Sequence, residues 1–160
     1  MIITFTGHSV VTSREDVKKA VKEEIKKNIS NVESVTFYLG GYGDFDNICA
    51  LACKELKQER TDIELVYVTP YISPSEQAKI KELQKCGYCD SSLYPPIESV
   101  PTKFAIIKRN EWMMSNADLI IAYVNRTYGG AYKALQIAKR RKRKIINICV
   151  DEAEKKTEML

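Results

Sequence analysis

Two stretches of this sequence combine residue types that can hold an anionic ligand. Gly129 and Gly130 follow the apolar run "LIIAYV" and open the helical pattern "GGAYKALQIAKRRK", with Arg126, Thr127 and Tyr128 just before them. Glycines at a strand-to-helix turn let backbone N–H groups approach a ligand with no side chain in the way. The helix that follows offers unpaired N–H groups and a partial positive charge, which suit phosphate. Cation, hydroxyl and ring together supply what a nucleotide needs; the alternative is a glycine pair that merely closes a tight turn. The second stretch, "YLGGYGDFDNICA" at 38–50, places Gly40, Gly41 and Gly43 before Asp44 and Asp46. Its Gly41-x-Gly43 spacing echoes a dinucleotide fingerprint without the third glycine. The two carboxylates would repel phosphate at a helix start and suit ribose hydroxyls or helix capping. One of them is expected to cap and the other to contact a ligand. His8, the only histidine, follows the first apolar run, where it can orient a ligand, move a proton or simply bond the neighbouring loop.

Two further features invite chemistry and are set aside. "CGYC" at 86–89, with Cys49 and Cys53 one helical turn apart, offers four sulfurs for zinc. Cys49 and Cys53 sit on a helix that must bury apolar atoms, and Cys86–Cys89 does not follow the first strand of a redox unit, so neither zinc nor a disulfide is expected. "KRRKRK" at 139–144 has the composition of a nucleic-acid contact. Cations at a helix C-terminus also complement the dipole, and a solvated face is the expectation.

The 160 residues suit one domain, expected over 1–150, with a flexible tail at 151–160. Apolar residues make up 44%, charged residues 29%, and the net charge is a mild +4. "MIITFTGHSV" is no signal peptide, and no apolar run approaches the roughly 20 residues of a membrane span. Five cysteines in a chain with an adequate core suggest reduced thiols, so the expected location is cytoplasmic.

Apolar runs alternate with amphipathic ones. Strands are predicted at 2–6, 34–39, 63–68, 118–124 and 144–148, with residues 87–100 a loop. Between the first two, Val17, Val21, Ile25 and Ile29 recur four apart as a helical stripe capped by Thr12 or Ser13. Strand–helix alternation implies parallel pairing, and strands without polar alternation imply that both sheet faces are covered. The fold class is therefore α/β, a three-layer Rossmann-like parallel sheet of about five strands, order 3-2-1-4-5. Ligands bind such sheets beyond the carboxyl ends of the strands, where both glycine loops and "TGHS" lie.

The order of motifs resembles the SLOG superfamily, Rossmann-like relatives of the LOG "lysine decarboxylase-like" phosphoribohydrolases, and in particular its small bacterial and phage branch. The matching residues are Gly7-His8, Gly43-Asp44-Phe45-Asp46, Tyr94-Pro95, Val100-Pro101, Phe104-Ala105, Arg109-Asn110, Trp112-Met113 and Gly129-Gly130-Ala131. The resemblance implies a nucleotide or nucleotide-derived ligand at the glycine loops. Arg109 falls on the arginine of the phosphoribohydrolase motif. The pattern then breaks: Tyr128 replaces proline, Tyr132 and Lys133 replace "GT", Gln136 stands where the catalytic glutamate would be, and Ser9 replaces an arginine. A neutral amide cannot serve as base or stabilise developing positive charge as a carboxylate does.

The expected function is thus binding or sensing of a nucleotide-derived small molecule without turnover and with no required cofactor. The alternative is a nucleotide N-glycosidase with Arg109 and a non-standard acid, Asp44, Asp46 or Glu111. Gly7, His8, Gly41, Gly43, Asp44, Arg109, Asn110, Thr127, Gly129, Gly130 and Ala131 are the expected binding residues. Arg109 is expected to point a guanidinium at a phosphate, and Trp112 to pack beneath its helix. A homodimer is left open, and neither a membrane nor a nucleic acid is an expected partner.

Overall fold

The structure, a computed structural model, describes residues 1–149, and the expected tail at 151–160 lies outside the described residues. The elements run β1 (Ile2–Gly7), α1 (Arg14–Ile29), β2 (Val35–Leu39), α2 (Asp44–Glu59), β3 (Ile63–Val68), α3 (Pro74–Lys85) and β4 (Ser91–Leu93). A 3-10 turn (Thr102–Phe104) then leads into α4 (Ala105–Asn116), β5 (Leu119–Tyr123), α5 (Gly130–Arg140) and β6 (Lys144–Asn147). All strand pairs are parallel, in the order β4-β3-β2-β1-β5-β6.

The sheet has six strands, not five, and so the order 3-2-1-4-5 needs correcting. The five expected strands keep their relative places, and β4 joins outside β3. It lies inside the stretch expected to be loop. Its three residues, Ser-Ser-Leu, have neither period nor β-branched side chain, so nothing local marks a strand. Neighbours impose it: Asp90 accepts the Leu65 N–H through Oδ2 and donates its own N–H to the Leu65 carbonyl, both at 2.8 Å, and the Thr69 N–H reaches the Leu93 carbonyl at 2.9 Å.

Helices cover both faces. Val17, Val21, Ile25 and Ile29 of α1 are buried together with Phe45, Ile48 and Ala52 of α2 and Ile80 of α3 against one face of the sheet. Met113 and Met114 of α4 and Ala134 and Ala138 of α5 cover Ile120 and Val68 on the other. Trp112 stacks on Tyr38 under α4, ring centroids 5.5 Å apart. Local signals set the helix starts unequally. Ser73 Oγ accepts the Glu76 N–H with Pro74 in the first turn of α3, whereas Ser13 takes the N-cap position of α1 without a side-chain bond.

The end of β1 is fitted to the start of α2. A methyl group on Gly7 would overlap the fully buried Phe45 side chain, whose ring stacks on Tyr123 at 5.7 Å. Gly7→Ala is therefore expected to destabilise the fold by about 1–3 kcal/mol, the usual cost of overpacking a filled core. Urea unfolding of the two proteins measures it, and an unchanged midpoint would show that Phe45 yields freely.

Candidate functional site

A cleft of about 200 Å³ lies beyond the carboxyl ends of the paired strands β1 and β5. Gly7, His8 and Ser9 form one wall, Tyr42 and Asp46 a second, Arg109 and Asn110 of α4 the floor, and Arg126 with Tyr128 to Ala131 the mouth. Of the expected binding residues, Gly7, His8, Arg109, Asn110, Gly129, Gly130 and Ala131 line it. Gly41, Gly43, Asp44 and Thr127 do not. Ile106 and Met113 also line it and were not among the expected binding residues: Ile106 has no local signal beyond a place on the helical stripe of α4, and Met113 stood only in the Trp112-Met113 motif. Tyr42 carried a signal that passed unused, as an aromatic ring set among three glycines.

The two glycine loops are built alike and differ in what remains free. Gly43 is the N-cap of α2 with φ 92° and ψ 170°, and Gly129 is the N-cap of α5 with φ 89° and ψ 177°, a backbone region essentially reserved to glycine. At α2 the exposed amides are already taken. The Asp44 N–H reaches the Ser9 carbonyl at 2.9 Å, the Phe45 N–H the His8 carbonyl at 3.3 Å, and the Tyr42 N–H the Asp46 carboxylate at 3.0 Å. Asp44 turns away from the cleft, accepting the Val11 N–H at 2.9 Å and pairing with Arg14 at 3.0 Å. It caps.

At α5 the picture reverses. Its first turn holds no acidic residue and no side-chain cap, and a Cβ built on Gly129 or Gly130 meets nothing within 4 Å. Arg126 lies 5.0 Å over the ring of Tyr128, which is 66% exposed. This helix start can accept an anion.

Arg109 sits beneath, 1% exposed. Its Nη1 donates to the Gly40 carbonyl at 2.8 Å and to the Val68 carbonyl at 2.7 Å, and Nε donates to Asn110 Oδ1 at 2.8 Å. Most of this guanidinium therefore holds the ends of β2 and β3, a structural role that the motif did not reveal. Nη2 has no hydrogen-bond partner among the described residues and is the part left for the cleft. Burial pulls the guanidinium below its ordinary value, while the nearby Asp46 pulls it up.

Asp46 is the acidic group of the cleft. Burial pushes its carboxyl up to about 6, against the opposing effects of the Tyr42 N–H and Arg109. His8, 6% exposed, is held below its ordinary value by burial, so it is neutral near pH 7. Its Nε2 meets the backbone N–H and side-chain amide of Asn125 at 3.0 and 2.8 Å, which pins the loop after β5, and Nδ1 has no partner among the described residues. Glu111 points elsewhere, pairing with Lys108 at 3.2 Å on the outer face of α4. Gln136 does not line the cleft. The cysteines do not assemble: Cys49 and Cys53 are buried with thiols pushed well above the usual range, and among the described residues no three His, Cys, Asp or Glu side chains form a metal-sized cluster. Nor, among these residues, is any helix long and apolar enough to cross a membrane.

Asp46 carries a consequence for stability. The folded chain holds this proton more tightly than the unfolded chain, so folding stability falls as pH rises from about 4 through about 6. Asp46→Asn, whose amide oxygen can still accept the Tyr42 N–H, lacks that loss. It should match the parent near pH 4 and exceed it by about 1–3 kcal/mol at pH 7. Denaturation at the two pH values checks this, and a constant difference would place the Asp46 carboxyl at its ordinary value.

No family model matches the sequence, and no curated protein matches it in sequence. Among solved structures the chain is similar to DNA processing protein A (DprA) from Helicobacter pylori, described for its single-stranded DNA binding mode. That likeness has a TM-score of 0.61 at 13% identity and covers 99% of this chain and 72% of the other. The chain is also similar to DprA from Streptococcus pneumoniae, with a TM-score of 0.61 at 14% identity over 89% of this chain, and spans about half (48%) of that longer protein. These neighbours process DNA, and they overturn two expectations: a sensor of a small nucleotide-derived ligand, and a chain without a nucleic-acid partner. Kinship with the phosphoribohydrolases finds no counterpart among them. What the neighbours share with this chain is the architecture, a Rossmann-like α/β fold.

Proposed function

We propose that the cleft binds single-stranded DNA through its phosphates, with Gly129 and Gly130 presenting the amides of α5 to one phosphate. The observation that carries the proposal is the open first turn of α5, free of carboxylates and faced by Arg126 and by the unpartnered Nη2 of the buried Arg109. A phosphate in a continuous strand needs only a shallow seat, because the rest of the polymer stays outside. Tyr128, exposed beside Arg126, offers a face for an unstacked base, and such stacking tolerates any sequence. The DprA neighbours, one of them described for single-stranded DNA binding, support the choice of polymer.

Fluorescence anisotropy with an oligothymidine of about 12 nucleotides tests the proposal. Affinity should fall linearly on a log–log scale with salt, and Arg126→Ala should flatten that slope by about 0.7 per lost phosphate contact. Tyr128→Ala should cost about 1–3 kcal/mol. Gly130→Val should lower affinity by about tenfold or more, with the thermal melt unchanged, because its φ is not positive and open space surrounds it. A parent protein that ignores the oligonucleotide, or binds it without regard to salt, would end the proposal.

A further inference from the structure

A second cavity, of about 320 Å³, opens on the other side of the Gly40–Gly43 loop. It is a groove between α2 and α3, floored by Leu39, Ala50, Leu51 and Leu83, with the rings of Tyr67 and Tyr88 in its walls. Arg14 and Lys79 stand at its edge, and Lys54 lies 4.4 Å over the Tyr88 ring. No carboxylate is among its lining residues, whereas the cleft contains Asp46. It is both larger than the cleft and more apolar.

The two cavities share a wall. Gly41 lines the groove and Tyr42 the cleft, and consecutive Cα atoms are only about 3.8 Å apart. The Tyr42 ring joins them electrostatically, with Lys79 of the groove 4.4 Å from its centre and Arg109 of the cleft 5.4 Å from it. Lys79 also donates to the Tyr67 hydroxyl at 3.1 Å, and that hydroxyl donates to the buried Glu76 at 3.0 Å, so the inner wall is fixed in place.

We propose that this groove receives a base of the same DNA strand whose phosphate occupies the cleft, and the proposal rests on that function. A base is flat, and the groove offers the partly exposed ring of Tyr88 over an aliphatic floor, with the buried Tyr67 behind it. A base in a strand is flanked by phosphates, and the groove has cations at its edge and no carboxylate. The exposed Asn47 amide at its mouth supplies a donor and an acceptor for a base edge. The thin wall at Gly41–Tyr42 then lies between a seated phosphate and a seated base of one strand. Arg14 already pairs with Asp44, but an apolar side chain of a protein partner, though it would fit the floor equally well, would bring no anion to Lys54 and Lys79, which pair with no carboxylate among the described residues.

The test fills the groove from a partly exposed helical position. Ala50→Trp should weaken the oligothymidine complex by about tenfold without altering the thermal melt or the salt slope, because the phosphate seats are intact. Tyr88→Ala should produce a loss of the same order, and Tyr88→Phe should not, since stacking needs the ring and not the hydroxyl. The deciding measurement repeats the Ala50→Trp comparison with an abasic strand of equal length, which the parent should bind more weakly and the variant equally well. An Ala50→Trp protein that binds oligothymidine like the parent overturns the proposal and leaves the groove to a protein partner. A tenfold loss that persists with the abasic strand also overturns it, since the groove would then hold backbone. Failure of the parent to bind any strand counts against the proposed function itself and is distinct from both outcomes.

Discussion

One buried cation organises the working edge of this protein. Arg109 inserts its guanidinium from α4 under the loop after β2 and against the last carbonyl of β3. Strand ends that diverge leave carbonyls with no ladder partner, and a buried carbonyl without a donor costs about 1–3 kcal/mol. A single nitrogen of Arg109 satisfies two of them, and Asn110 satisfies a third donor of the same side chain. The charge survives burial because Asp46 and the tyrosine rings lie around it. The cleft therefore exists because the fold needs this cation, and the cation's free edge gives the cleft its polarity.

The twin glycine loops show how one backbone device serves two ends. Each places a glycine with φ near 90° at a helix start. At α2 the amides are consumed by the carbonyls of His8 and Ser9, and two aspartates complement the dipole. That loop clasps β1 to α2. At α5 no such partners arrive, and His8 holds the preceding loop from the side through Asn125. The first loop is closed by its own neighbours, whereas the second has an open first turn, the seat proposed above for a phosphate.

Most of the architecture was legible in the sequence, because buried parallel strands and striped helices leave long periodic signals. The four-residue repeat from Val17 to Ile29 and the apolar run at Leu119–Tyr123 are of that kind. Strand β4 was not legible, since its pairing is owed to Asp90 and to the exposed edge of β3 and not to its own residues. The site was half legible. The glycines marked both loops, but sequence alone cannot show that Ser9 closes one and nothing closes the other. The arginine of the motif was found in place, yet its two carbonyl partners are 41 and 69 residues away, beyond the reach of any local pattern. The size of the cleft is a property of packing that no motif encodes.

Asp46 gives the cleft a further character. A carboxyl pushed up to about 6 beside the seat proposed for a phosphate would share its electrostatic environment with whatever occupied that seat. An arriving negative charge raises its proton affinity further, so occupancy draws protons from the medium. By reciprocity, acidity strengthens the hold on the anion by the same free energy. In the proposed complex the cleft would thus record its occupancy in the proton count of the surrounding buffer, whatever chemical group carried the charge.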